Sequence, residues 1–216
     1  MEFTISSLTT MSFCIKTPCR ILFSGSSQSG KSTAASRLIK LSPFDKKFTN
    51  IYYFCSPDTK VPPLDENVKI MRNLNLKCIQ PGSLAVFDDM YQAVGNSEEF
   101  CSYMTTKSHH CDISIIIIQQ NFFSSRECKY GNIISKNSDH VFLFKSPREN
   151  TTIRNLALQA EPTRWRQLVD AFQQSTATPY SYLHMDFSQS TPDVLRYKTN
   201  VLDENGSQFP IVFVLN

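Results

Sequence analysis

Short runs of apolar residues recur along the chain, and each run ends in polar or turn-forming residues. Runs of this length with turn signals at their ends predict β-strands. The predicted strands are Arg20–Ser24, Ile51–Cys55, Leu84–Phe87, Ile113–Gln119 and His140–Lys145. The isoleucine-rich run Ile113–Gln119 does not alternate apolar with polar residues, which is typical of a strand buried on both faces of a parallel sheet.

Stretches with helical patterns separate most of these strands. The predicted helices are Lys31–Leu41, Ser97–Ser108, Asn150–Ala160 and Pro162–Gln174. Ser97 is a favourable N-cap, and Glu98 and Glu99 fall in the first turn behind it. Strands that alternate with helices favour an α/β fold, with a mostly parallel central sheet flanked by helices. The runs Ser181–Phe187 and Ile211–Leu215 predict a short mixed C-terminal extension, with strands added antiparallel at the sheet edge.

Length and composition bound the domain organisation. The chain has 216 residues, and no internal repeat or clear linker divides it. We expect one domain over residues 1–216, with an N-terminal arm at 1–19 and a C-terminal extension at 175–216. A hydrophobic fraction of 41% and a net charge of +3 exclude a disordered chain. A charge this small is compatible with a nucleic-acid partner but does not argue for one.

Three features bear on the cellular compartment. The most apolar stretch, Ile113–Ile118, is far shorter than the roughly 20 residues of a membrane-spanning helix, so we expect no membrane partner. The seven cysteines are odd in number and form no C-x-x-C pair. Met1–Leu8 lacks the basic start of a secretory signal. Together these features predict an intracellular protein with reduced thiols.

The segment Gly25–Ser32 fits the phosphate-loop pattern G-x-x-x-x-G-K-[ST] in full and lies between a predicted strand and a predicted helix. Its glycines allow backbone N–H groups to surround a phosphate, and the positive end of the following helix faces the same anion. Lys31 is expected to reach the β- and γ-phosphates, and Ser32 to ligate Mg²⁺. The residues predicted to bind the nucleotide are Gly25, Ser26, Ser27, Gln28, Ser29, Gly30, Lys31, Ser32 and Thr33.

Polar residues follow two other predicted strands. Asp88 and Asp89 come directly after Leu84–Phe87, at the carboxyl end of a strand, where ligands bind in open α/β sheets. We expect Asp88 to hold Mg²⁺ through a water molecule and Asp89 to orient or deprotonate the attacking water. Gln120 follows the strand Ile113–Gln119 and is our candidate for sensing the γ-phosphate. The alternative for Gln120 is an amide that only bonds its own loop.

The residues around the acidic pair exclude several classes of P-loop protein. GTPases need a D-x-x-G segment, and Asp88–Tyr91 and Asp89–Gln92 both lack its glycine. The sequence also contains no N-K-x-D segment for guanine and no L-S-G-G-Q signature of transporter ATPases. These absences favour ATP as the nucleotide. They leave a motor ATPase of the RecA-like type or a small-molecule kinase.

The stretch Ser108–Phe123 resembles the FtsK–HerA-type DNA-packaging ATPases of viruses and of Polinton/Maverick elements, which show a His-His pair, a buried strand and Gln-Asn-Phe/Leu-Phe. The resemblance continues through His140–Lys145 and Ile153–Gln159 and covers roughly residues 18–172. It implies a RecA-like P-loop NTPase fold of the poxvirus, virophage and Polinton branch. It also implies a homo-oligomeric ring, a hexamer in that family, that moves double-stranded DNA into a preformed capsid inside a host cell. Capsid proteins are then further partners.

The resemblance also bears on single catalytic positions. In that family the second acid is often Glu and the residue before the sensor amide is often Thr, whereas Asp89 and Gln119 stand here. These departures leave open which residue positions the water. The family further implies an arginine, supplied across a subunit interface, that stabilises charge on the transferred phosphoryl group. Arg126 and Arg148 are the two candidates, because both follow strands on the nucleotide side of the sheet.

Two other functions use the same loop. A small-molecule phosphotransferase needs an arginine-rich lid, and residues 56–80, the only stretch with room for one, contain just Arg72 and scattered lysines. A non-hydrolysing assembly factor would bind ATP and not turn it over. The packaging motor is the function we expect, and these two remain its alternatives.

Overall fold

A computed structural model describes residues 13–123, 128–148, 150–203 and 209–216 of the chain. Within these ranges the strands are β1 (Arg20–Ser24), β2 (Ile51–Cys55), β3 (Val68–Met71), β4 (Leu84–Asp88), β5 (Ser114–Gln119), β6 (His140–Phe144), β7 (Tyr182–Asp186), β8 (Tyr197–Thr199) and β9 (Ile211–Phe213). The α-helices are α1 (Lys31–Leu41), α2 (Tyr91–Gly95), α3 (Glu98–Ser102), α4 (Ser108–His110), α5 (Gly131–Lys136), α6 (Asn150–Ala160) and α7 (Trp165–Ser175). A π-helical segment, Tyr103–Lys107, joins α3 to α4. None of the helices in this part of the chain is long and apolar enough to cross a membrane.

All nine of these strands belong to one sheet, in the order β3-β2-β4-β5-β1-β6-β7-β8-β9. Neighbouring strands pair in parallel from β3 to β6. The strands β7, β8 and β9 continue the sheet in antiparallel orientation. The predicted α/β fold, with a mostly parallel sheet and added antiparallel strands near its C-terminus, is confirmed.

Two hydrophobic cores lie on opposite faces of the sheet. Ile115 and Ile117 of β5 belong to the core that includes helices α6 and α7. Ile116 and Ile118 of the same strand belong to the core that includes α1. Successive side chains of a strand point to opposite faces, so both faces of β5 need apolar residues. This explains why the run shows no alternation of apolar and polar residues.

Several element boundaries differ from the prediction. The strands β3 and β8 and the helices α2 and α5 were not predicted, because these short elements mix polar with apolar residues and form neither an apolar run nor a helical period. The predicted helix Ser97–Ser108 instead begins at Glu98, contains the π-helical segment and continues to His110. The predicted helix Pro162–Gln174 begins later, at Trp165, after a turn closed by the Arg164 N–H on the Glu161 carbonyl oxygen at 3.1 Å.

The parallel strands place three polar segments along one edge of the sheet, the edge formed by the carboxyl ends of these central strands. Ser24 at the end of β1 lies opposite Gln119 at the end of β5, and Asp88 at the end of β4 lies opposite Ile118. Strand β5 therefore separates β1, which leads into the phosphate loop, from β4, which ends in the acidic pair. As a result the loop, the amides after β5 and the two carboxylates share this edge.

Candidate nucleotide-binding site

The phosphate loop connects β1 to α1, and its geometry requires both of its glycines. A Cβ atom on Gly25 would lie 2.6 Å from the Cβ atom of Phe144, so a side chain here would displace one of the two segments. Gly30 has a φ of 96°, in the left-handed region that favours glycine, and directly precedes α1. No side chain among the described residues caps the start of α1. Its first N–H groups are therefore available to bind an anion.

Lys31 is the first residue of α1 and lies largely inside the loop. Its Nζ atom donates a hydrogen bond to the carbonyl oxygen of Ser26, across the loop, at 2.6 Å. Burial lowers the pKa of the Lys31 ammonium group, while the carboxylates of Asp88 and Asp89 oppose this shift. The Lys31 ammonium group therefore lies within the loop, in the region where the sequence predicts the β- and γ-phosphates.

Asp88 is the buried carboxylate of the site, and two hydroxyl groups bond to it. Ser32 Oγ donates to Asp88 Oδ1 at 3.3 Å, and the Tyr53 hydroxyl donates to Asp88 Oδ2 at 2.6 Å. Burial raises the pKa of Asp88, and the two hydroxyl donors work against that rise. Burial also raises the pKa of Tyr53, so its hydroxyl stays protonated and acts as the donor. The sequence-predicted pair Ser32 and Asp88 is brought together here.

Asp89 differs from its neighbour in environment and in backbone conformation. It is exposed at the sheet edge and has a φ of 56°, in the left-handed region. Its backbone N–H donates to the carbonyl oxygen of Ile118 at 3.4 Å, which ties the residue to the end of β5. Aspartate adopts the left-handed region more readily than most residues, so this conformation needs no special explanation. Asp89 is exposed, and it is close enough to the phosphate loop to act electrostatically on Lys31.

The two glutamines after β5 have different surroundings. Gln119 is buried, and its Nε2 atom donates to the carbonyl oxygen of Asn121 at 2.6 Å. Gln120 is exposed and lines a small cavity together with Gly25 and Phe144. The side chain chosen from the sequence as the γ-phosphate sensor therefore borders the phosphate loop.

The two candidate arginines are placed differently by the structure. Arg148 is exposed in the turn after β6. This turn begins next to the phosphate loop, because Ser26 Oγ donates to the carbonyl oxygen of Lys145 at 3.2 Å. Arg126 lies outside the described residues. Arg148 therefore lies on the same side of the sheet as the phosphate loop.

Two tyrosines that the sequence analysis did not select also border the site. Tyr53 holds Asp88, as described above, and nothing in the run Ile51–Cys55 distinguishes it from an ordinary core aromatic residue. Tyr180 packs against Gly30 at the end of the phosphate loop. It also lines a cavity of about 490 Å³ that begins at the loop and runs along the start of α1.

No family model matches the sequence, and no curated protein is significantly similar to it. Solved structures resemble it in fold. The genome packaging NTPase B204 from Sulfolobus turreted icosahedral virus 2, in complex with sulfate, has a TM-score of 0.53 and 11% identity, over 80% of this chain and 93% of B204. B204 with ATP-gammaS has a TM-score of 0.49 and 12% identity, over 81% of this chain and 95% of B204. Thermomonospora curvata EccC (ATPases 2 and 3) has a TM-score of 0.39 and 13% identity, over 61% of this chain and 31% of EccC.

The fold is that of a P-loop NTPase. The likeness to B204 with sulfate spans 93% of that protein, so it is not confined to the phosphate loop. It agrees with the complete loop between β1 and α1 and with the buried carboxylate at the end of β4. The predicted P-loop NTPase fold is therefore confirmed.

Proposed function

We propose that this protein is an ATP-hydrolysing motor that moves double-stranded DNA into a viral capsid. The observation that carries the proposal is the convergence of Lys31, Ser32 and Asp88 at one edge of the sheet. A loop that cradles phosphates beside a buried carboxylate is the recurring core of P-loop hydrolysis sites. The fold likeness to a viral packaging NTPase and the resemblance of Ser108–Phe123 to packaging ATPases both support a packaging motor.

Ser32 and Asp88 are the residues that would hold Mg²⁺. A hydroxyl and a carboxylate are oxygen ligands, and Mg²⁺ in nucleotide sites uses one or two carboxylates and completes its shell with phosphates and water. Ser32 would bind the ion directly and Asp88 would hold it through a water molecule, and the two side chains already lie side by side, with 3.3 Å between Ser32 Oγ and Asp88 Oδ1. When bound, Mg²⁺ neutralises charge that develops on the β- and γ-phosphate oxygens.

The chain's own groups would then perform the hydrolysis. Lys31 would exchange its bond to the Ser26 carbonyl oxygen for the β- and γ-phosphates, which bear more negative charge than a carbonyl. Asp89 is exposed at the same edge and can accept a proton from the attacking water as a general base. In this scheme the buried Asp88 holds the metal ion and the exposed Asp89 accepts the proton.

Further groups would complete the site in an assembled ring. Gln120 borders the loop beside Gly25 and would contact the γ-phosphate. An arginine of an adjacent subunit, Arg148 or Arg126, would stabilise charge on the transferred phosphoryl group. This requirement supports a homo-oligomeric ring, hexameric as in the family that the sequence resembles, with the capsid as its docking partner.

The proposed DNA contacts need no base recognition. Binding through the phosphate backbone is independent of sequence and depends on positive charge. Each subunit carries a net charge of +3, which is compatible with such contacts and would add up over a ring of identical subunits. A few lysine and arginine side chains per subunit would therefore suffice.

The decisive experiment is an ATPase assay with and without duplex DNA, on the wild type, Lys31→Ala and Asp89→Asn. We expect DNA to stimulate the wild type and Lys31→Ala to lose ATP binding. Asp89→Asn should still bind ATP but hydrolyse it about a hundredfold or more slowly, because a general base contributes about 10²–10⁴-fold.

Asp112→Asn is the matched control for Asp89→Asn. Asp112 has a φ of 52°, close to the 56° of Asp89, but precedes β5 at the opposite edge of the sheet. The Asp112→Asn variant should leave ATPase activity unchanged.

ATPase activity that does not respond to DNA would contradict the motor. A phosphorylated acceptor in place of free phosphate would indicate a phosphotransferase, and ATP binding without turnover an assembly factor.

A further inference from the structure

Tyr180 occupies a turn position that normally belongs to glycine. In the turn Thr178–Ser181, the Ser181 N–H donates a hydrogen bond to the Thr178 carbonyl oxygen at 3.4 Å. Pro179 stands at its second position, and Tyr180 at the third has a φ of 66°. This is the pattern of a type II turn, whose third position strongly favours glycine. A bulky residue in the left-handed region is strained, and such strain is found mostly at functional sites.

The Tyr180 ring is also exposed, beside the phosphate loop. The residue is 72% exposed, although its backbone and ring base pack against Gly30. Exposure of one aromatic ring is not unusual, but here it coincides with a strained backbone and with a place at the phosphate loop, and the three together point to a ligand. The packing against Gly30 places the ring at the end of the phosphate loop.

The ring borders a cavity of suitable size for part of a nucleotide. This cavity has a volume of about 490 Å³, within the range of about 300–1,000 Å³ usual for small-molecule sites. Lys31, Ser32 and Thr33 line one side of it, so it opens directly onto the phosphate site. A nucleotide whose triphosphate occupies the loop can extend its sugar and base into this space.

The far wall of the cavity is apolar and well supported. It is formed by Tyr182 and Leu202, both of which are buried residues of the C-terminal extension. The Leu202 N–H donates to the Tyr182 hydroxyl at 3.0 Å, and the Tyr182 ring packs on Phe142 with 5.3 Å between centroids. Arg37 of α1 closes the remaining side and offers hydrogen-bond donors. A flat apolar ligand with acceptor atoms fits these walls.

We propose that the C-terminal extension forms the nucleobase subsite, in which the base of the bound nucleotide stacks on the ring of Tyr180 against the wall of Tyr182 and Leu202. The inference rests on the proposed function in one respect, since the phosphate loop must hold the triphosphate. It adds a role for the extension that does not depend on DNA or on a capsid.

The test is calorimetric titration with two probes, Mg-ATP and inorganic tripolyphosphate with Mg²⁺, because only ATP carries a base. Base-on-aromatic stacking corresponds to about a tenfold to hundredfold change in affinity. Tyr180→Ala should therefore bind ATP about tenfold or more weakly and bind tripolyphosphate as the wild type does. Tyr180→Phe keeps the ring and should restore ATP binding. Phe209→Ala removes another exposed aromatic ring of the extension, outside this cavity, and should have no effect.

Tyr180→Gly separates this role from a structural one. Glycine accepts the backbone conformation, so its melting temperature should stay within about 2 °C of the wild type while ATP binding weakens as in Tyr180→Ala.

Three results would overturn the subsite. They are unchanged ATP affinity in Tyr180→Ala, equal losses for ATP and tripolyphosphate, and marked destabilisation of Tyr180→Gly. A wild type that binds neither probe would instead refute the proposed function itself, and the subsite with it. A wild type that binds both probes but shows no DNA-stimulated hydrolysis would refute the motor and leave the subsite standing.

Discussion

Acidification should destabilise this protein through a pair of histidines inside the sheet. His140 of β6 and His184 of β7 lie on neighbouring strands, with His184 Nε2 3.3 Å from His140 Nδ1. His184 is completely buried, and His140 is almost completely buried. Burial lowers the pKa of both rings, and their mutual proximity lowers that of His184 further. Both rings are therefore neutral in the folded protein at pH 7.

The charged groups around the pair show which ring to alter. Asp186, 3.6 Å from His140 Nδ1, and Asp139 favour the protonated form of His140, whereas Lys198 opposes it. For His184 every influence has the same sign, because burial, His140 and Lys198 all lower its pKa. His184 is thus the ring whose protonation conflicts most clearly with the fold.

The size of the effect follows from the difference between the two states. In the unfolded chain a histidine has a pKa of about 6.5, so it takes up a proton as the pH falls from 7 to 5. His184 in the folded protein stays unprotonated over this range. The unfolded state therefore binds more protons, and the free energy of unfolding decreases as the pH is lowered. Integrating this difference over the two pH units gives a loss of about 2 kcal/mol from His184.

The assay is urea unfolding at pH 5, 6 and 7 for the wild type and His184→Phe. Phenylalanine keeps an aromatic ring against Phe142, whose centroid lies 4.5 Å from that of His184. The variant should lose about 2 kcal/mol less than the wild type between pH 7 and 5. Burial raises the pKa of Asp88, and the site around Asp186 lowers the pKa of that carboxyl, but both effects are common to the two proteins. Equal pH dependence in the two proteins would refute the reasoning.

Two further predictions concern the nucleotide site. Gly25→Ala should cost about 1–3 kcal/mol of stability by overpacking against Phe144, 2.6 Å from the new Cβ atom, and should abolish ATP binding. Gly82→Ala is its control: φ is 72° but the nearest contact is 3.5 Å, so unfolding by urea should show a loss while calorimetry shows normal ATP binding. Tyr53→Phe removes the 2.6 Å bond to Asp88 and should cost about 1–3 kcal/mol in urea unfolding. It should also raise the Mg²⁺ concentration needed for half-maximal ATPase activity, and an unchanged Mg²⁺ titration would contradict the positioning role of Tyr53.

The phosphate loop could be predicted from the sequence because its constraints are local. Eight consecutive residues, Gly25–Ser32, determine the backbone path, the lysine and the hydroxyl. The buried strands were predictable for a similar reason. Runs such as Ile113–Gln119 leave no polar face for solvent, and their short length and many isoleucines favour a strand covered on both sides over a buried helix.

The partner of Asp88 could not be predicted in this way. Tyr53 stands in an apolar run, and the hydrophobic pattern is the same whether its hydroxyl has a partner or not. The bond to Asp88 joins residues 35 positions apart and exists because β2 and β4 pair in parallel in one register. Register is a property of the assembled sheet, so a single sequence contains no local signal for this contact.

Tyr180 shows how a conflict between local preference and overall fold becomes informative only when the backbone is known. From the sequence, Pro179 signals a turn, and the tyrosine after it is merely an aromatic residue in a loop. The φ of 66° shows that this turn would be better served by glycine. A sequence that keeps a large aromatic residue at such a position forgoes stability there. The position of the ring beside Gly30 supplies a reason. A base stacked on Tyr180 would strengthen nucleotide binding, which offsets the lower stability of the turn.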